Sequence, residues 1–234
     1  ENGARNLEQA GCQPEKIQVA RLGVDVAGIE YVRRSKQEEE LHLVQIASFA
    51  EKKGHIYTVR AFLDAVRDCP NMTLTLVGED RDGRKSQIFS EIAKRGAGDK
   101  IFSYDSVPYE RLMSFFRDNQ VFIHPSGYTE KRDCEGGAPV VLLDAQATGM
   151  PIISTRHCDI PEAVVHNRTG LLCPEKDIGA LTAAIKRFYW MSQEKYNGFA
   201  RNARRHVEKN YDIKKNAQVI RGLYERVIRM SNSG

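Results

Sequence analysis

The sequence predicts a Rossmann-like α/β domain, a parallel sheet flanked by helices on both faces. Three observations carry this expectation. Runs such as LHLVQI, MTLTLV and VFIH are mostly apolar and carry no charged residue, as expected of strands buried on both faces. Segments of ten or more residues with apolar positions at helical spacing separate the runs. Glycine and proline mark the junctions, where strands and helices hand over.

Taken in order, EKIQVARLGVD predicts a short β-branched strand ending at the turn residues Gly23 and Asp25. The polar, mixed-charge AGIEYVRRSKQEEE reads as a solvated linker. The regular alternation then begins. LHLVQIASF is a strand, and GHIYTVRAFLDAVRDC a helix through Ile56, Val59, Phe62, Leu63 and Val66. MTLTLVG is a strand, RKSQIFSEIAKRGAG a helix closed by glycines, IFSY a short strand and YERLMSFFRDN a helix behind Pro108. QVFIHPS is a strand stopped by Pro125, PVVLLDAQATG a helix, MPIIST a strand, IPEAVV a short helix and TGLLC a last strand. Helices through IGALTAAIKRFYWM, EKYNGFARNARRHVEKN and IKKNAQVIRGLYERVIRM close the chain.

Composition excludes several classes. No apolar run approaches the ~20 residues a membrane-spanning helix needs. The five cysteines are odd in number and share no C-x-x-C spacing, which favours reduced thiols in a cytosolic compartment over a disulfide framework. The opening ENGARNLEQAG has neither an initiator methionine nor a signal-peptide core, as expected of a fragment. The formal charge of +4 is uneven: residues 201–230 carry nine Lys/Arg against three Asp/Glu, a surplus of six, so the remainder is slightly acidic. Without a basic stripe along its body the chain does not read as a nucleic-acid binder. The C-terminal surplus is a solvated helical face or, alternatively, a weak contact with an anionic membrane surface.

Ligands of doubly wound sheets bind at the carboxyl ends of the strands. That directs attention to residues 48–54, 78–84, 103–107 and 126–139. The last of these runs into EGGAPVVLLDAQATGMPIIST. Gly136 and Gly137 let backbone approach a ligand closely, and Pro139 suits the first turn of a helix. The free N–H groups of Val140 and Val141 would then face the crevice as an anion site, with a diphosphate as the guest. Asp144, about a turn into the helix, could accept two hydrogen bonds from a ribose diol, and Glu135 could grip hydroxyls farther along. One structural cap and one exposed acid is the bland alternative. His124, His157, Cys158 and Cys134 lie at strand ends, but a metal cluster from them needs a coincidence of loops.

The segment 135–155 resembles the E-G-x-P-x-x-x-L-E-A-x-A-x-G-x-P signature of retaining glycosyltransferases of family 4, which have the GT-B fold. EKIQVARLGVD, AEKKGH, LTLVGED, VFIHPS and DIPEAVVHNRTGLLC fall in the order of that family's segments. The resemblance implies the following division: 1–22 the tail of an N-terminal acceptor domain, 23–40 a hinge, 41–210 a nucleotide-sugar-binding Rossmann-like domain, and 211–234 a closing helix. It implies that Lys53 neutralises the donor diphosphate, Glu135 contacts the donor sugar, and Asp144 grips the ribose. The loop around Tyr104 would lie against the base. Glu135 and Lys53 are thus the catalytic candidates, with Ser48, Tyr104, Gly136, Gly137, Val140, Val141 and Asp144 as further binding residues.

Two departures stand out. Ser48 occupies the place of the family's usual arginine, leaving the diphosphate short of one counter-charge. Eight residues, not seven, separate Glu135 from Asp144. No D-x-D pair is assigned to the phosphate site, so no metal and no cofactor is expected. The implied protein is a cytoplasmic enzyme, free or peripheral to the inner face of the membrane, moving a sugar from a nucleotide-diphosphate sugar to a saccharide or lipid-linked acceptor held by the other half. It would act in cell-envelope polysaccharide biosynthesis. A catalytically silent nucleotide-binding module, or another GT-B enzyme such as a sugar-nucleotide epimerase or a sucrose-type synthase, is the alternative.

Overall fold

The computed structural model describes residues 2–231, with side chains through residue 229. Its frame is a six-stranded, fully parallel sheet in the order β3-β2-β1-β4-β5-β6. The strands are β1 (Leu41–Ile46), β2 (Met72–Val77), β3 (Ile101–Tyr104), β4 (Val121–His124), β5 (Ile152–Thr155) and β6 (Gly170–Cys173). Helices alternate with them: α2 (His55–Ala65), α3 (Lys85–Lys94), α4 (Tyr109–Asp118), α5 (Val141–Ala147) and α6 (Ile160–Ala163), after α1 (Asn2–Gln9). Three more follow: α7 (Ile178–Tyr189), α8 (Gln193–Asn210) and α9 (Ile213–Ser231). The α/β class and the alternation from residue 41 onward are as expected from the sequence.

The unbroken apolar strands have a direct cause. Leu43 faces a core built with Phe62, Ile88 and Ile185 of α2, α3 and α7. Its neighbour Val44 faces the other core, with Phe116, Leu143 and Ile160 of α4, α5 and α6. Successive side chains point to opposite faces, and here both faces are dry. Helix α8 serves both: Tyr196 and Phe199 enter the first core and Val207 the second.

Two expectations fail at the amino-terminal side. Residues 15–25 form no strand; a 3₁₀ turn at Pro14–Lys16 leads into extended chain held at Val24 by Tyr211 and Ile213, at Arg21 by Glu162 and at Leu22 by Asn216. β-branched composition favours a pleated surface but supplies no partner ladder, and Val19 and Leu22 stay exposed. Nor is the segment 27–40 simply solvated. Ile29, Arg34 and Lys36 are buried. Arg34 donates to the carbonyls of Phe116, Asn119 and Thr148 at 2.7–3.1 Å, and Lys36 to Tyr189 O at 3.0 Å. These carbonyls belong to helix C-termini, where unpaired acceptors and the helix dipole favour cations. Burial pushes the Arg34 guanidinium below its ordinary range.

The C-terminal basic residues are not uniform either. Arg204 reaches inward to the carbonyls of Val26, Ile29 and Ala147. Helix α9, by contrast, exposes Val219, Ile220, Tyr224, Val227 and Ile228 alongside its basic residues. Among the described residues, no helix is long and apolar enough to cross a membrane.

Candidate functional site

The strand order reverses direction between β1 and β4, and the loops leaving β1, β2 and β4 meet above that point. Close backbone approach makes the meeting work. Gly78, after β2, has φ +155°, and a Cβ there would stand 1.9 Å from Ala47 O. Gly54, at φ +70°, would put a Cβ 2.1 Å from Pro125 O. Only glycine fits either position. A cavity of about 450 Å³ opens above the junction. Ser48, Lys53 and Arg81 supply polar groups to its wall, His124 lies at its floor, and Val140 and Val141 close one side.

Lys53 is positioned from its backbone, where its carbonyl accepts from Gln45 Nε2 at 2.7 Å. Its Nζ sits 2.6 Å from Glu135 Oε2. Ser126 donates to the other carboxylate oxygen at 2.7 Å. Burial alone would raise the Glu135 carboxyl; His124, 3.6 Å away, and the Lys53 ammonium outweigh it and hold the group at about 2. Burial pushes the His124 imidazole down, against the opposing pull of the Glu135 carboxylate. His124 is fully buried and neither ring nitrogen has a hydrogen-bond partner in the protein.

Ser48, Lys53, Val140 and Val141 thus line one cavity, with Glu135 bound to Lys53 at its edge. The others lie elsewhere. Gly136 has φ +73° and Gly137 lies beside Asp159, away from the cavity lining. Tyr104 is exposed at the end of β3, edge-on to Phe115 at 5.1 Å. Asp144 is 7% exposed and turns from the cavity towards Tyr109, whose hydroxyl donates to it at 3.2 Å. Burial raises the Asp144 carboxyl to about 6. Pro139 stands ahead of α5 rather than in its first turn, its carbonyl accepting from Leu142 N at 3.1 Å.

Arg81 was not singled out in the sequence, though it falls in the 78–84 loop. It lies on the cavity wall, paired with Glu79 at 2.5 Å, and brings a cation to the side where Ser48 brings none. Its neighbours Asp80 and Asp82 do have D-x-D spacing. Their carboxylates accept from the backbone amides of Arg84 (3.0 Å) and Glu51 (3.2 Å), the work of loop caps.

A doubly wound sheet with a cavity at its switch point, edged by paired charges, defines a Rossmann-like domain. The chain belongs to the family described as Glycosyl transferases group 1, whose model matches residues 30–206. Among curated proteins it is 31% identical over 179 residues to the amylovoran biosynthesis glycosyltransferase AmsK of Erwinia amylovora, covering 76% of this chain and 43% of that one. The C-terminal domain of a group 1 family glycosyl transferase from Francisella tularensis has the same fold, with a TM-score of 0.69 at 17% identity, covering 82% of this chain and all of that one. The Anabaena protein HepE, in a complex with UDP and glucose, superposes with a TM-score of 0.77 at 18% identity over 95% of this chain and 60% of its own. The chain spans about half the length of the curated relatives it matches.

Proposed function

We propose that this chain is the nucleotide-sugar donor-binding domain of a retaining glycosyltransferase of the GT-B type. The observation that carries this is one cavity lined jointly by the Lys53 ammonium and a buried imidazole at His124 whose ring nitrogens make no hydrogen bond within the protein. A buried polar group without a partner is costly, and a ligand hydroxyl would satisfy it. The diphosphate would lie against Lys53 and Arg81, whose charges stabilise the negative charge that develops as the nucleoside diphosphate leaves the anomeric carbon. Glu135, freed from Lys53, would meet the donor sugar. Asp144 and the Tyr104 side of the sheet would serve the ribose and base. No metal or cofactor takes part in this scheme.

The acceptor, a saccharide or lipid-linked glycan, would be held by another half, across the hinge at residues 23–40. The biosynthetic name of the Erwinia relative supports an envelope polysaccharide as the product. The exposed apolar and basic side chains of α9 support contact with that other half or with an anionic surface at the cytoplasmic face of the membrane. Because transfer needs donor and acceptor held in reacting geometry, residues 1–234 alone should bind donor without turning it over.

Calorimetry with UDP, GDP and ADP, each with and without a sugar, tests the proposal; UDP comes first because HepE is complexed with it. Binding of one nucleoside diphosphate, weakened by Lys53→Met, is the expected outcome. Failure of all three to bind would count against this reading and against a silent nucleotide-binding module alike.

A further inference from the structure

Away from the cavity, two loops, one after β4 and one after β5, bring Cys134, His157 and Cys158 together. One ligand atom from each lies within 4.8 Å of the other two. Cys158 Sγ is 3.2 Å from His157 Nε2, and Cys158 adopts φ +45°, a left-handed backbone uncommon for a residue with a side chain. His157 is fully buried and both its nitrogens are assigned by their neighbours. Nδ1 lies 2.8 Å from Glu175 Oε1, which can only accept, so Nδ1 carries the proton. Nε2 then offers a lone pair, towards which the Glu135 amide points at 3.2 Å. Glu175 is itself held by the Tyr128 amide at 2.9 Å. A carboxylate that fixes a histidine's tautomer and turns its free nitrogen towards two thiols is the outer shell that metal sites use.

We propose that Cys134, His157 and Cys158 form a Cys2His site for a thiophilic divalent cation of the zinc type. Two thiolates and an imidazole select such an ion over magnesium or calcium. Zinc bonds of about 2.3 Å to sulfur and 2.0 Å to nitrogen place tetrahedral donors about 3.5–4 Å apart, so closure needs shifts of less than an ångström or so. On binding, each thiol gives up its proton to solvent. The dication and two thiolates then sum to zero charge, which suits a half-buried place. The fourth position stays open. The cation would also take the lone pair that now accepts the Glu135 amide, so occupancy would bear on the loop that carries Glu135. The site is independent of whether the protein transfers sugar.

Reduced, metal-free protein is titrated with Co²⁺, then with Zn²⁺. One equivalent of cobalt should bind with tetrahedral d–d bands and thiolate-to-metal charge-transfer absorption, releasing about two protons, and zinc should bleach the spectrum. Cys134→Ser and Cys158→Ser should each remove part of the charge-transfer band and weaken binding at least tenfold. Glu175→Gln keeps all three ligands and should cost about 10–100-fold in affinity, with circular dichroism unchanged. An octahedral cobalt spectrum without charge transfer in the wild-type protein, or a titration indifferent to these substitutions, would overturn the proposal.

Discussion

Lys53 Nζ lies 2.6 Å from Glu135 Oε2, although the two residues stand on loops that follow different strands. The ammonium a diphosphate would need is thus already held by a carboxylate. Donor and Glu135 compete for one cation. Glu135→Gln should release Lys53 and tighten nucleoside diphosphate binding by a few-fold, about 1 kcal/mol for exchange of one charge-assisted hydrogen bond. Lys53→Met should weaken it and, by leaving Glu135 buried and unpaired, should cost about 2–3 kcal/mol of stability. Calorimetry and denaturant titration of both variants check this; unchanged affinity in Glu135→Gln would remove the competition.

The same pair sets an acid limit. The folded state holds the Glu135 carboxyl at about 2, below its ordinary 4.5, so its contribution is fully present above pH 4.5 and is lost as pH falls towards 2. The span corresponds to about 3 kcal/mol. Glu135→Gln should flatten the stability profile over that window. Denaturant midpoints between pH 2.5 and 5 provide the comparison.

Much of this was legible because burial on both faces leaves a mark in composition. Leu43 and Val44 face opposite cores, so LHLVQI could not alternate apolar with polar as a half-exposed strand does. The loops that line the cavity could be located because they follow strands. What escaped depends on partners distant in sequence. Val19 and Leu22 have strand-forming neighbours but no ladder to join. Arg34 and Lys36 look solvated in a polar stretch, yet helix C-termini far along the chain receive them. Cys134 and Cys158 share no motif spacing, and only the folding of a separate loop places Cys134 beside the adjacent His157 and Cys158. Asp144 has the expected position on α5, while its contact with Tyr109 could not be read from its own segment.

Arg81 bears on the Ser48 departure. If it supplies the counter-charge that Ser48 lacks, Arg81→Ala should weaken nucleoside diphosphate binding by about 1–2 kcal/mol, the more so at low salt, since its side chain is exposed and screened. Nucleoside binding should not change. Ser48→Arg in the Arg81→Ala background should restore part of the loss. Equal affinity of Arg81→Ala and wild type for UDP, GDP and ADP would dismiss the residue.

Arg34 should matter for stability alone. Its substitution by methionine strands the carbonyls of Phe116, Asn119 and Thr148, at about 3 kcal/mol or more. That corresponds to a drop in Tm of about 6–12 °C for a domain of this size. Exposed Arg33 is the control, and Arg33→Met should stay within about 0.5 kcal/mol. Calorimetric unfolding of the two variants separates a buried strap from a solvated linker.

Asp144 is where stability and binding should part company. Burial raises its carboxyl from 3.8 to about 6, so the folded protein holds this proton more tightly than the unfolded chain. Stability must therefore fall as pH climbs from about 4 through 6, by about 3 kcal/mol in all. An asparagine has no charge to bury and can still accept from Tyr109. Asp144→Asn should therefore be more stable than wild type above pH 6, by up to about 3 kcal/mol, and the two profiles should converge below pH 4. A carboxylate kept at that cost calls for a use. If the use is the ribose diol, the same variant should bind nucleotide more weakly by about 1–3 kcal/mol, the range for a hydrogen bond to a charged group. Greater stability with unchanged nucleotide affinity would leave Asp144 without a ligand, and would shift the ribose to the groups that line the cavity.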